Sequence, residues 1–224
     1  MLNSVIFLGR KNCIFSKKLH ILLKKNSKKL LYFENSNKNK KNYLKKINNF
    51  DYLFSFRSYQ ILKEYTLNKI NNLAINFHPG SPEYRGIGCT NFAIYNNEKM
   101  YGATAHLIDD KIDHGQILDV EKFLIKKNYN LSDLLKKTHS TQVKQCKRII
   151  SRMCDLNFNL KNYLLKYPCE EKWSKKLYSK KNLDKFYEID RKISKNDFYN
   201  KLRSTRIENH QPYIILHGKK FILK

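Results

Sequence analysis

The sequence contains little of what builds disulfide frameworks, metal sites or membrane spans. Its five cysteines are odd in number and scattered, with no C-x-x-C pair and no histidine at metal-ligand spacing: Cys13, Cys89, Cys146, Cys154 and Cys169. This pattern argues against a disulfide framework and a zinc site, and it predicts reduced, mostly buried thiols. No run reaches the roughly 18 apolar residues of a membrane span. The first residues show neither a basic leader nor a small-residue cleavage site, so we expect a soluble, cytoplasmic protein without membrane insertion.

Acidic residues are also scarce. The 45 lysines and arginines outnumber 19 aspartates and glutamates, which gives a net charge of +26. Such a charge attracts phosphates, and nucleic acid is one partner that it allows. The excess, however, is spread along the chain and forms no stripe interleaved with aromatic residues. The alternative is the codon bias of an AT-rich genome, which favours Lys, Asn, Ile and Tyr. We therefore favour an anionic small substrate over nucleic acid, which is disfavoured but not excluded.

The order of apolar runs predicts the fold class. With 224 residues, 41% of them hydrophobic, the chain has room for one sizeable core and an extension, divided here as 1–155 and 156–224. Predicted strands at 4–8, 29–33, 51–56 and 73–77 alternate with helical patterns around 15–23 and 61–70, and the polar stretch NSNKNKKN (35–42) is predicted to be solvated. This alternation indicates an α/β fold, a Rossmann-like, mostly parallel sheet with helices on both faces. Sites in such sheets lie beyond the carboxyl ends of the strands.

The stretch INFHPGSPEYRGIG (75–88) concentrates two of the four prolines and three of the seven glycines at the end of the fourth predicted strand. Asn76 and His78 are two residues apart, so an extended backbone points both side chains to one face. An amide there can donate to an oxyanion, and an imidazole can move a proton. The pattern N-x-H alone leaves a structural alternative, in which Asn76 caps the turn and His78 is a satisfied core histidine.

A second loop follows the predicted strand GATAHLID (102–109) and bends through Gly115 into ILDVEKFLI (117–125). It carries Asp113, whose carboxylate could orient His78 and hold its charged form. Capping of the turn is the structural alternative for Asp113. Strand alternation places His106 on the same face as Thr104 and Ile108, so we expect it to support the catalytic residues.

The motif N-x-H-P-G-S-P-x-Y-R-G, followed by Y-G-A-T-A-H-L-I-D-D-K-I-D-H-G-Q-I-L, resembles the folate-dependent formyltransferase family. That family includes methionyl-tRNA formyltransferase, glycinamide ribonucleotide transformylase and the sugar N-formyltransferases, and the resemblance covers about 50–155. It implies catalytic roles for Asn76, His78 and Asp113, without a metal. It also implies two segments that hold the cosubstrate 10-formyltetrahydrofolate, made of Ser55, Phe56 and Arg57, and of Ile108, Asp109 and Asp110.

The resemblance does not identify the acceptor amine. Family members differ outside the shared core, so the two ends of the chain have to indicate it. The start, LGRKNCIFS, has one glycine and no phosphate-cradling glycine-and-serine loop, which disfavours the purine enzyme. About seventy residues after 155 are too few for the RNA-binding barrel of the tRNA enzyme. They predict a short strand, a helix over 197–204 and a small α+β extension that ends in a hairpin, PYIIL and KKFIL, turning at His217–Gly218. This extension is similar to that of sugar N-formyltransferases.

The sequence therefore predicts an enzyme that formylates the amine of a dTDP- or UDP-linked amino sugar for surface polysaccharide such as lipopolysaccharide. Tyr84, Arg85 and Trp173 are the candidate substrate contacts; Arg85 bracing the loop and Trp173 packing the C-terminal piece are the structural alternatives. The hairpin could pair two copies in a homodimer. Two other functions stay open: a methionyl-tRNA formyltransferase without its barrel, and a non-catalytic module that binds nucleic acid or folate.

Overall fold

The structure is a computed structural model that describes residues 1–36, 49–157, 159–208 and 210–223. The greater part of the predicted polar loop, 37–42, lies outside these residues. Through residue 155 the elements are β1 (Leu2–Arg10), α1 (Ile14–Asn26), β2 (Ser27–Asn35), β3 (Phe50–Phe56), α2 (Glu64–Leu67), β4 (Ile70–His78), β5 (Arg85–Gly86), α3 (Cys89–Tyr95), β6 (Met100–Leu107), β7 (Ile117–Leu124) and α4 (Leu131–Asp155). They are followed by α5 (Leu160–Lys166), β8 (Leu177–Tyr178), α6 (Lys180–Phe186), α7 (Lys195–Thr205), β9 (Tyr213–Leu216) and β10 (Lys219–Ile222).

The central sheet has six strands in the order β2-β1-β3-β4-β6-β7. The first four strands are parallel, whereas β6 and β7 are antiparallel additions at one side. This arrangement confirms the predicted fold class. The carboxyl ends of β1, β3 and β4 meet at one edge of the sheet, which is where ligand sites form in parallel sheets.

Both faces of the sheet are buried because successive side chains alternate between them. Phe7, Phe54 and Ile75 face one cluster, to which α1 and α4 contribute apolar side chains. Ile6 and Leu53 face the opposite cluster, which also includes Leu62 and Leu67. Burial on both sides explains why these strands read as continuous apolar runs.

The helix predicted over 61–70 is wrong in extent. The structure has only the short α2, and Ile70 is already the first residue of β4, paired with Phe50 of the neighbouring strand. Ile61 is 72% exposed, so the apolar spacing that suggested a helix does not form a buried face. Strand pairing overrides helix propensity at this position.

The C-terminal region ends in the predicted hairpin. His217 and Gly218 have φ of 48° and 74° between β9 and β10, as a two-residue turn with two positive φ angles requires. The predicted helix is α7, whereas α6 was not predicted. The predicted short strand is reduced to one bridge between Glu188 and Tyr213. None of the helices in the described part of the chain has the length and apolarity to span a bilayer.

Candidate active site

The candidate site is built around the end of β4. Asn76 is paired in register with Ser55 of β3 on one side and with His106 of β6 on the other. Residues directly opposite each other on neighbouring strands point to the same face, so three polar side chains form one row. His78 follows two residues later on the same face, while Phe77 points to the other face and is buried in the cluster of Phe7, Phe54 and Ile75. The predicted common face of Asn76 and His78 is present.

His78 is 2% exposed, and both of its ring nitrogens face acceptors. Nδ1 lies 3.1 Å from Oδ2 of Asp113, and Nε2 lies 2.7 Å from the carbonyl oxygen of Tyr84. Because a carboxylate and a carbonyl can only accept, this geometry suits the doubly protonated imidazolium. Burial acts to lower the pKa of His78, but the Asp113 charge and hydrogen bond outweigh it and raise that pKa well above 6.5.

Asp113 is held in place by backbone contacts as well as by the imidazole. It has a φ of 44°, and its Oδ2 accepts a hydrogen bond of 2.9 Å from the backbone N–H of Gly86. Its Oδ1 lies 3.4 Å from Nε2 of His106. Burial acts to raise the pKa of Asp113, but His78 and His106 outweigh it and lower the pKa below the usual carboxylate range. The loop that carries Asp113 thus delivers a fixed negative charge between two histidines.

His106 contacts two predicted catalytic side chains, Asn76 and Asp113, as a supporting residue would, and this role stays a prediction. Its Nδ1 lies 2.7 Å from the carbonyl oxygen of Leu107, which means that Nδ1 carries a hydrogen. In the neutral form, Nε2 then accepts from the side-chain amide of Asn76 at 3.2 Å. This bond fixes the plane of the Asn76 amide.

Trp173 covers the two imidazoles from the C-terminal region. Its ring meets His78 and His106 edge to face, with centroid distances of 5.7 and 5.1 Å. Its Nε1–H donates to the carbonyl oxygen of Gly115 at 2.8 Å, which ties it to the Asp113 loop. Both alternatives for Trp173 are thus compatible with its position, because it packs and also borders the site.

The other two predicted substrate contacts brace the site in this structure. The guanidinium of Arg85 donates to the carbonyl oxygens of Asp113 (2.7 Å), Ile112 (3.1 Å) and Ser174 (2.9 Å). The ring of Tyr84 packs in a separate apolar cluster, and its hydroxyl donates to Glu98 at 2.7 Å. The contact of Tyr84 with His78 runs through its backbone carbonyl. Substrate contact by either side chain stays a prediction.

The first predicted folate segment lies at the end of β3. Ser55 and Phe56 are buried, and the Phe56 ring meets His139 edge to face at 6.1 Å. Arg57 follows with a φ of 53°, and its Nη1 donates to Sγ of Cys13 at 3.2 Å. The chain therefore turns sharply where the sheet ends, next to the row that contains Ser55 and Asn76.

The second predicted folate segment crosses the same edge. The backbone N–H of Ile108 donates to the carbonyl oxygen of Ala74 at 2.8 Å, so this segment also borders β4. Oδ2 of Asp109 lies 2.7 Å from Nδ1 of His114, and Asp110 is exposed. Both segments thus flank β4, and their assignment to folate stays a prediction.

Gln142 of α4 is a residue of the site that the sequence did not indicate. It is fully buried, and its Nε2 donates to the carbonyl oxygen of Phe77 at 2.5 Å, between the two catalytic candidates of β4. Its Oε1 accepts from Nδ1 of His139 at 2.9 Å. The available signal was a glutamine on the apolar face of a predicted helix, where a polar group needs a partner.

Comparison with known proteins identifies the family. The family model described as formyl transferase matches residues 12–150, more than half of the chain. The chain therefore belongs to the formyl transferase family, and the family predicted from the two motifs is confirmed.

The sequences of two relatives align with about three quarters of this chain. The bifunctional polymyxin resistance protein ArnA of Wigglesworthia glossinidia brevipalpis is 32% identical over 176 residues, which cover 77% of this chain and 25% of that protein. Methionyl-tRNA formyltransferase of Mycoplasmopsis pulmonis is 27% identical over 173 residues, 76% of this chain and 57% of that protein. This chain thus spans about a quarter of the length of the ArnA protein and somewhat over half of the length of the methionyl-tRNA formyltransferase.

Solved structures are similar along almost the whole chain. A 4-N formyltransferase from Francisella tularensis superimposes with a TM-score of 0.80 at 23% identity, covering 98% of this chain and 96% of the other. An N-formyltransferase from Helicobacter canadensis, solved with folinic acid and dTDP-3-aminofucose, gives a TM-score of 0.72 at 21% identity, covering 97% and 85%. These likenesses show that the fold, including its C-terminal region, is shared.

Proposed function

We propose that the protein transfers the formyl group of 10-formyltetrahydrofolate to the primary amine of a nucleotide-linked amino sugar. The observation that carries the proposal is the contact of charged His78 with Asp113, beside the Asn76 amide that His106 orients, at the carboxyl end of a central parallel strand. The folate derivative supplies an electrophilic formyl carbon on its N10 nitrogen. Ser55 and the carboxylates of Asp109 and Asp110 have the acceptor atoms that the amino and ring N–H groups of a pterin require.

In the proposed reaction the acceptor nitrogen attacks the formyl carbon, and the bond from that carbon to N10 breaks. The Asn76 amide donates to the formyl oxygen while it carries negative charge, and the Nε2–H of His78, which donates to the carbonyl oxygen of Tyr84 in the unliganded site, turns to that oxygen when the substrates are bound. With both ring nitrogens protonated, His78 acts as this donor and not as the first base. The proton that the amine loses moves through water held near Asp113, and N10 gains a proton as the folate leaves.

The sugar acceptor is supported by the C-terminal region. Residues 156–224, which we propose as a small extension of a 1–155 catalytic domain, form short helices and a hairpin in the part that the structure describes. The similarity to the N-formyltransferase from Helicobacter canadensis that was solved with dTDP-3-aminofucose extends over 97% of the chain and thus includes this region. A dTDP- or UDP-linked substrate also gives part of the +26 charge a role. Cytoplasmic surface-polysaccharide synthesis and hairpin-mediated homodimerisation complete the proposal.

A formyltransferase acting on methionyl-tRNA is the second candidate, because one relative of that name matches 76% of the chain. The high positive charge suits RNA as well. What disfavours it is the form of the C-terminal region, in which the described residues make short helices and a two-stranded hairpin instead of a barrel.

The test is formyl transfer by the purified protein from 10-formyltetrahydrofolate to a panel of dTDP- and UDP-amino sugars, and separately to methionyl-tRNA. Tetrahydrofolate release would be followed by absorbance and the formylated product by mass spectrometry. We expect turnover with at least one amino sugar and loss of turnover in His78→Asn. The matched control is His217→Asn, an exposed histidine at the hairpin turn whose positive φ asparagine tolerates. Efficient formylation of methionyl-tRNA alone would overturn the sugar assignment.

Folate binding without transfer to any of these acceptors would instead favour a binding module. Salt-dependent retention of RNA without transfer would favour the nucleic-acid form of that module.

A further inference from the structure

Apart from the candidate active site, a cleft of about 700 Å³ lies between α3, α6 and α7. None of its lining residues belongs to the candidate active site. Its volume falls within the roughly 300–1,000 Å³ typical of small-molecule sites. The formyl-transfer proposal assigns nothing to this cleft, so the chemistry of its walls has to indicate the ligand.

The walls are largely aromatic. Phe92 and Tyr178 stack with their ring centroids 4.1 Å apart, and Phe186 meets Phe92 at 4.8 Å. Tyr95 stands edge-on to Phe186 at 5.1 Å. These four rings come from three elements, β8, α3 and α6, and pack together into one aromatic wall. Aromatic walls contact planar heterocycles, including nucleobases, by stacking or edge to face.

Lys201 of α7 brings a buried positive charge to these rings. The residue is only 9% exposed, and its Nζ lies 3.6 Å from the ring centroid of Phe186 and 4.9 Å from that of Tyr95. None of the ion pairs found among the described residues includes Lys201. Burial lowers the pKa of Lys201 to about 8. A buried ammonium without an anionic partner is costly, and the two aromatic rings offset only part of that cost.

The remaining charges of the cleft are mostly positive. Lys176 and Lys185 also line it, against a single acidic residue, Glu188. Lys176 lies over the Tyr178 ring, 4.5 Å from its centroid. The cleft therefore combines cations with flat aromatic walls, a combination that suits a ligand with an anionic group and a planar ring.

We propose that this cleft binds a nucleoside phosphate, with a phosphate against Lys201 and the base against the aromatic wall. This binding does not depend on formyl transfer. The ligand could be a free nucleotide or the nucleotide part of a larger molecule, and the two sources share this chemistry.

The experiment is calorimetric titration of dTDP and UDP into the full chain, with thymidine and inorganic phosphate as half-ligands. Lys201→Met removes the charge at similar side-chain length, and Lys201→Arg keeps it. The matched control is Lys195→Met, which removes the same charge from the exposed first turn of the same helix. Binding at any other site is common to both methionine variants, so the difference between them reports the cleft.

We expect Lys201→Met to weaken dTDP or UDP binding by about ten- to a hundredfold, as the loss of a charged hydrogen bond does. Lys201→Arg and Lys195→Met should bind within about threefold of the original protein, and each half-ligand should bind more weakly than the intact nucleotide. The ligand-free Lys201→Met protein should melt no lower than the original, because it loses an unpaired buried charge. Should it not fold, Phe186→Leu replaces it, with the same loss expected.

Equal nucleotide affinity in Lys201→Met and Lys195→Met would overturn the proposal, and so would a melting temperature lowered in Lys201→Met with nucleotide affinity unchanged. A rise in the KM for the sugar acceptor in Lys201→Met would assign the cleft to the acceptor's own nucleotide. Lost binding of free nucleotide with an unchanged KM would assign it to a separate nucleotide.

Discussion

Replacing Asp113 by asparagine tests the electrostatic basis of the proposed reaction. The substitution keeps the shape of the side chain and an oxygen that can accept from the backbone N–H of Gly86, 2.9 Å away. It removes the negative charge 3.1 Å from Nδ1 of His78. Burial, the largest influence on the pKa of His78, lowers it, and without Asp113 only the smaller raising influence of Cys89 opposes burial. We therefore expect His78 to be neutral near pH 7 in Asp113→Asn.

The magnitude follows from the role of the lost proton. A neutral His78 that offers one hydrogen cannot donate both to the side chain at position 113 and to the oxyanion, and loss of one oxyanion donor lowers kcat by about 10²–10³-fold. Removing one partner of a buried ion pair costs about 3–5 kcal/mol of stability when the other charge persists. Because His78 can release its proton, the loss in Asp113→Asn should be smaller than that.

The assay has two readouts, kcat for formyl transfer and the protonation of His78 followed by NMR of its ring nitrogens. The control is Asp119→Asn, which removes a half-buried carboxylate that pairs with Arg148 on α4, away from the site. That variant should lose stability but keep its kcat. A kcat within about threefold of the original protein in Asp113→Asn would refute the role of the pair. A His78 that stays charged at pH 7.5 would refute its electrostatic cause.

Three further predictions concern the same site. In Gly80→Ala the new Cβ would lie 2.6 Å from Nε2 of His78, so kcat should fall at least tenfold. The control is Gly218→Ala, which has open space around its Cβ and should keep its kcat. Its free energy of unfolding, measured in urea, should fall by about 1–2 kcal/mol because of the positive φ. Trp173→Phe keeps a ring over the imidazoles but loses the hydrogen bond to the carbonyl oxygen of Gly115. The free energy of unfolding should therefore fall by about 1 kcal/mol, and an unchanged value would contradict this hydrogen bond. Because the folded-state pKa of His78 is raised above 6.5, its stabilising effect is complete below pH 6.5 and lost as pH rises through the folded value. The kcat should fall over that same range in a pH–rate profile. A kcat that stays level through the pH at which NMR shows His78 losing its proton would exclude charged His78 as the donor.

The sheet was predictable because local pattern and tertiary burial agree there. The apolar runs around Phe7, Phe54 and Ile75 are buried on both faces, so continuous hydrophobicity marks them as parallel strands. At Ile61 and Ile70 the pattern has helical spacing, but one residue is exposed and the other pairs with Phe50 in the sheet. Nothing in the local sequence reports that distant partner.

In the candidate site, too, local spacing predicted some contacts, whereas others depend on residues that are distant in the sequence. Asn76 and His78 share a face because of strand periodicity alone, so their proximity could be predicted from spacing. The contact between His78 and Asp113 joins the end of β4 to a separate loop. The residue types alone raised this contact as one of two alternatives, and the family motifs favoured it. Gln142 comes from a helix more than sixty positions further along, and its bond to the carbonyl of Phe77 depends on how that helix packs.

The C-terminal region takes part in the site and does more than extend the domain. β8 pairs with β5, which places the strand of Arg85 and Gly86 against residues beyond 155. One Nη of Arg85 donates to the carbonyl of Ser174 while its other donors hold the Asp113 loop, and Trp173 closes over both imidazoles. Trp173 also helps to keep His78 2% exposed, and burial strengthens the electrostatic coupling between His78 and Asp113. The proposed boundary at 155 therefore does not isolate the site, since Trp173 beyond it covers His78 and Ser174 helps to hold Arg85 against the loop of Asp113.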